Sequence, residues 1–160
     1  GISGGECRRL SIASQVISKP KIIFLDEPTC GLDSFTAETV INILKKLSMN
    51  NCAIISTIHQ PSSQLFNSFD RLILLAEGKI VYSGPRDQAI GLFQKAGFEC
   101  PINYNPSDFF IEVLAIKSGR EEECRTQITK LIDENAKMIK DRRSQNENLE
   151  VLFCNYYLKG

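Results

Sequence analysis

Two adjacent carboxylates, Asp26 and Glu27, follow directly on the apolar run Ile22-Ile-Phe-Leu25. Such a run reads as a strand buried on both faces of a parallel sheet. Acids that end it stand at the carboxyl tip, where open α/β sheets bind ligands. One carboxylate there can hold Mg²⁺ through water, and a neighbouring acid can orient or deprotonate an attacking water. A second apolar run, from Cys52 to Thr57, leads to His59, the single histidine of the chain. If the two strands are parallel, His59 lies on the same sheet edge as Asp26. Upstream, Ser3-Gly4-Gly5-Glu6 opens a segment whose apolar residues Leu10, Ile12, Ala13, Val16 and Ile17 have helical spacing,. The free amides of a first turn and the positive end of the helix dipole make such a start an anion site. Taken singly, each piece has a plainer explanation: solvated acids, a capped helix, a structural histidine.

The elements that must position these residues follow from the pattern. Ser3 with Glu6 three positions on is a capping box, so a helix starts there and runs to residue 18, before Pro20,. Pro28 and Gly31 break the chain after the acids, and Ala37, Val40, Ile41, Leu44 and Leu47 mark one face of a helix over 34–49,. Strand, crossover helix and strand form a right-handed βαβ unit. Pro61 is placed in a first helical turn, with Leu65 and Phe66 as its apolar contacts,. Residues 71–76 and 79–83 around Glu77-Gly78 read as an antiparallel hairpin. Helices over 86–96 and 106–116 follow, the second packing Phe109, Phe110, Val113 and Leu114 inward. From Gly119 the chain is strongly charged, with Ile128, Leu131 and Ile132 as a thin apolar stripe. It reads as a solvated helix leading to a polar linker at 140–148, and the last ten residues turn apolar too briefly to assign.

The chain has 160 residues, about one ordinary domain,. Nineteen basic and nineteen acidic residues balance, which argues against an electrostatically driven nucleic-acid binder,. A hydrophobic share of 42% excludes disorder of the whole,. The six cysteines form no C-x-x-C pair, and the spacing of zinc ligands is absent,. They read as reduced thiols, most of them small core residues. No apolar stretch approaches the roughly 20 residues of a membrane span. Because the chain opens on Gly1, with Met49 and Met138 well inside, it is expected to be a piece of a longer polypeptide.

Together, in order and spacing, these pieces resemble the second half of an ATP-binding-cassette ATPase domain. Ile2-Ser-Gly-Gly-Glu6 matches the signature motif, Ile22-Ile-Phe-Leu-Asp-Glu-Pro28 the Walker B strand, Gly31-Leu-Asp-Ser34 the D-loop, and Ser56-Thr-Ile-His-Gln-Pro61 the switch-histidine loop. The stretches Thr57 to Phe66, Phe69 to Gly78 and Asn105-Pro-Ser-Asp-Phe-Phe110 are similar to the G subfamily, the White-type half-transporters. The resemblance covers residues 1–117 as the C-terminal half of a nucleotide-binding domain. It leaves 118–160 as a charged helix and linker toward a transmembrane domain outside the sequence. It implies an α/β fold of the P-loop NTPase type, in part, without the P-loop strand.

Residue by residue, the resemblance implies that Asp26 holds Mg²⁺ through water and that Glu27 polarises the hydrolytic water. His59 would contact the γ-phosphate of ATP, and Asp33 would couple two sites across a dimer. Ser3, Gly4 and Gly5, with Glu6 in the same motif, would grip ATP bound mainly by an opposing subunit. The partners implied are a second half-transporter and the chain's own membrane domain, at the cytosolic face of a membrane, with no nucleic acid. The family's cargoes include sterols, other lipids, pigment precursors and xenobiotics. Cys30 stands where relatives often carry Ser or Gly. A G-x-x-x-x-G-K-[ST] loop is absent, since the one Gly-Lys pair, Gly78-Lys79, falls in the hairpin turn,. The 160 residues alone are therefore expected to hydrolyse ATP poorly or not at all. Without the P-loop, the strand beside the Walker B strand is also expected to be missing, leaving an apolar face and a sheet edge open. The alternative is a truncated, non-catalytic regulatory chain that lends its signature motif to a partner subunit.

Overall fold

The structure is a computed structural model and describes residues 1–143 and 152–155, with side chains over 1–140. Helix α1 (Gly4–Val16) starts at the capping box: the Ser3 hydroxyl accepts from the Glu6 amide, and the Glu6 carboxylate accepts from the Ser3 amide. Strand β1 (Ile22–Leu25), helix α2 (Ser34–Ser48) and strand β2 (Ala53–Thr57) form the expected βαβ unit. β1 and β2 pair in parallel, Leu25 opposite Ser56. α2 lays Ala37, Val40, Ile41 and Leu44 into the core, the face marked by the apolar spacing.

Beyond β2, a short helix α3 (Ser63–Asn67) precedes the hairpin of β3 (Arg71–Ala76) and β4 (Lys79–Pro85). Glu77 and Gly78 both have positive φ (51° and 70°), as a two-residue turn matched to strand twist requires,. Helices α4 (Arg86–Lys95), α5 (Pro106–Leu114) and α6 (Glu121–Arg143) follow. α6 lies against β4 and α4 and buries Cys124, Ile128, Leu131 and Asn135, a single stripe on an otherwise polar helix,. A fifth strand, β5 (Leu152–Asn155), runs parallel to both β2 and β3, giving the sheet order β1-β2-β5-β3-β4.

Several expectations need correcting. β1 is buried on one face only: Ile23 is 6% exposed, but Ile22 and Phe24 are 53% and 73% exposed, in an open cleft shared with Arg8, Ser11 and Gln15 of α1. The apolar face expected to stay open is therefore open. The expected open sheet edge is there too: β2 pairs along one side of β1, and among the described residues no strand pairs along the other. Pro61 lies before the helix, because the Ser62 hydroxyl takes the capping role by accepting from the Leu65 amide. Of the described cysteines, Cys52 and Cys124 are buried while Cys7 and Cys30 are exposed, so core placement holds for fewer than expected. α6 continues through Arg143 into the stretch read as linker, whose remainder lies outside the described residues. Four of the last ten residues form β5, a strand whose partners are too distant in sequence to leave a local pattern.

Candidate functional site

The parallel register of β1 and β2 brings their carboxyl tips side by side. Thr57 ends β2, and its hydroxyl donates to the Asp26 carboxylate at 2.6 Å. The same oxygen accepts from the Glu27 amide at 2.8 Å. One threonine thus fixes both acids, the first through its side chain and the second through its backbone. Asp26 and Glu27 are exposed at the mouth of the sheet, as is His59 two residues past Thr57. The loops leaving the two tips each carry a non-glycine residue in the left-handed region: Glu27 at φ 41° and Gln60 at φ 43°. That conformation costs such residues about 1–3 kcal/mol and clusters at functional sites.

Asp33 caps α2, its carboxylate accepting from the Thr36 amide at 2.9 Å. The hydrogen bonds from Thr36, the side chain's first, hold the Asp33 carboxyl below the ordinary range. The Glu6 carboxyl is lowered likewise, first by the Ser3 amide and then by its hydroxyl. The glycines of the α1 start differ. A Cβ on Gly5 would stand 2.5 Å from the Thr36 methyl, so Gly5 is where the first turns of α1 and α2 pack together. Gly4 faces open space. The structure therefore joins Asp26, Glu27 and Thr57 directly and places His59 at the end of the same strand pair. Of the α1 start it brings Gly5 against Thr36, in the first turn of the helix that Asp33 caps.

Residues absent from the sequence reading complete the site. Thr57 carried no assigned role, although a hydroxyl ending the second strand, at the position paralleling Asp26, was a usable signal. Asn105 and Ser107 also reach toward the histidine loop: both donate to the Pro61 carbonyl, at 3.0 and 3.2 Å. Nothing local announces those contacts. Among the described residues no group of three His, Cys, Asp or Glu side chains could hold a metal ion by itself. No helix among them is long and apolar enough to cross a membrane.

Comparison with known proteins agrees with this geometry. The family described as ABC-2 type transporter matches residues 59–141, and that described as ABC transporter matches residues 1–30. "Protein white" of Drosophila melanogaster is 50% identical over 83% of the chain, covering 19% of that protein. The "broad substrate specificity ATP-binding cassette transporter ABCG2" of Mus musculus is 48% identical over 77% of the chain and 20% of that protein. A solved ATP-binding cassette of an ABC transporter superposes with a TM-score of 0.53 at 21% identity, over 60% of this chain and 38% of that one, a likeness of fold alone. The chain belongs to the ABC transporter family, and within it to the White-type G subfamily. It spans about a fifth of the length of the curated relatives it matches.

Proposed function

We propose that residues 1–117 are the C-terminal half of a White-type half-transporter's ATP-hydrolysing domain, from the signature motif through the switch histidine and beyond, and that 118–160 lead toward its membrane domain. On this reading the domain couples nucleotide binding and hydrolysis at a dimer interface to movement of a lipid, sterol, pigment precursor or xenobiotic across a membrane. The carrying observation is the Thr57 bridge, which locks two exposed acids at the tip of one strand pair beside His59.

The donor set fits Mg²⁺ only as a companion of phosphate. Asp26 is a single exposed carboxylate with one oxygen already held by Thr57, so further ligands must be water and phosphate oxygens,. When bound, Mg²⁺ neutralises charge on the transferring phosphoryl group. Asp26 would hold the ion through water. Glu27, its backbone held by Thr57, orients and deprotonates the attacking water,. His59 donates to the γ-phosphate. At the other end, α1 offers the Ser3 hydroxyl and the open Gly4 amide to the γ-phosphate held by the opposing subunit. Asp33 caps the helix against which Gly5 packs, and so couples the two sites.

The reading is tested by Glu27→Gln in the full-length transporter. Nucleotide binding should persist while steady-state hydrolysis falls by about 10²–10⁴-fold, the range of general-base contributions. Turnover at the unsubstituted rate would overturn the assignment.

A further inference from the structure

Asn105-Pro-Ser-Asp108 lies well away in sequence from the acids and the histidine, yet three of its side chains form one hydrogen-bonded unit aimed at the histidine loop. The Asn105 side-chain oxygen accepts from the Ser107 amide at 3.2 Å and so caps α5. Its amide nitrogen donates to the Pro61 carbonyl at 3.0 Å and to the Asp108 carboxylate at 3.2 Å. The Ser107 hydroxyl, only 2% exposed, donates to that same Pro61 carbonyl at 3.2 Å. One backbone oxygen thus takes two donors from a helix more than forty residues away, and Pro61 itself is buried.

The chain between Thr57 and Pro61 is held at both ends. At the front, Thr57 is tied to Asp26 and Glu27; at the back, Pro61 is tied to α5. Between the two anchors stand exposed His59 and Gln60, the latter in the left-handed region at φ 43°. A non-glycine residue keeps that conformation only where its surroundings over-determine it. Ring packing fixes the rear anchor further, since Phe110 of α5 meets Phe66 of α3 and Phe93 of α4 with centroids 6.0 and 4.7 Å apart.

We propose that Asn105 and Ser107 are positioning residues for His59, holding the carbonyl of Pro61 so that the imidazole stays aimed at the phosphate site. This rests on the role given to His59 above. It makes α5 a part of the hydrolytic apparatus rather than a packing element alone.

The test uses single-turnover and steady-state hydrolysis by the full-length transporter carrying Ser107→Ala, Asn105→Ser, His59→Ala, and each of the first two combined with His59→Ala. Asn105→Ser keeps a neutral capping oxygen on α5 but lacks the amide that reaches Pro61. Each of these two single variants should lower kcat by about three- to tenfold, the worth of one hydrogen bond, with KM for ATP unchanged. In the His59→Ala background neither should lower the residual rate further, because a group that acts through His59 has nothing left to position. Rates at the unsubstituted level in both single variants, or deficits that persist undiminished without the imidazole, would overturn the proposal while leaving His59 in its role. An unimpaired His59→Ala transporter would instead remove the role of His59, and this inference with it.

Discussion

The sheet mouth and the aromatic layer behind it are built on opposite terms. At the mouth, Ser3, Asp26, Glu27, Asp33, His59 and Gln60 are all exposed, held by a few directed hydrogen bonds and two left-handed residues. Behind it, Phe66, Phe69, Phe93, Phe109 and Phe110 are nearly sealed from solvent and meet in tilted or edge contacts with centroids 4.7–6.1 Å apart. Burial and packing carry most of the stability of a domain. An exposed polar edge contributes little of it and is free to be shaped for a ligand. Substitutions in the two regions should therefore separate rate from stability.

The largest such separation lies in Phe110. It touches rings on α3, α4 and α5 at once, and it is 1% exposed. Phe110→Ala should lower the unfolding free energy of the chain by about 3–5 kcal/mol, read by urea denaturation. A loss of the size seen for an ordinary surface change would mean that this layer is not the structural counterweight to the mouth.

Gly5 tests the boundary between the two regimes, since it belongs to the polar edge by motif and to the packing by contact. The predicted cost of Gly5→Ala is about 1 kcal/mol: overpacking against the Thr36 methyl, partly offset by the better helix propensity of Ala,. Adding Thr36→Ser removes that methyl and should restore the midpoint. If Gly5→Ala alone is harmless, the close approach of α1 and α2 does not explain the glycine.

The same division governs what the sequence made legible. Asp26 and Glu27 could be placed at a strand tip because four apolar residues precede them, and the capping box at Ser3 is a short-range pattern that the structure reproduces. The Glu77-Gly78 turn was equally local. Thr57 was not legible as a bridge, since its contact with Asp26 depends on the register of two strands. Nor were the bonds of Asn105 and Ser107 to Pro61, which need α5 folded back over α3. The run of β1 shows the same limit of local pattern. Its four apolar residues say that the strand suits burial, not whether a layer is present to bury Phe24.

The smallest predicted effect is the share of the acid dependence of stability that the mouth contributes. Glu6 and Asp33 both have lowered carboxyl pKa values, through hydrogen bonds from Ser3 and Thr36 respectively. A carboxyl lowered on folding contributes stability above its unfolded pKa and loses it as pH falls through the folded value. Stability should thus decline as pH drops from about 5 downward, past the ordinary carboxylate values near about 4. Gln at position 6 and Asn at position 33 can still accept the capping bonds but do not titrate. The double variant Glu6→Gln/Asp33→Asn should therefore show a shallower acid limb when urea midpoints are compared across pH. The flattening is partial, because Glu121, Glu123 and Glu134 on α6 are lowered as well. Phe110→Ala should shift the whole curve downward without changing its slope, since no titrating group is lost. An acid limb of unchanged steepness in the double variant would show that the two caps hold their helices without their charge.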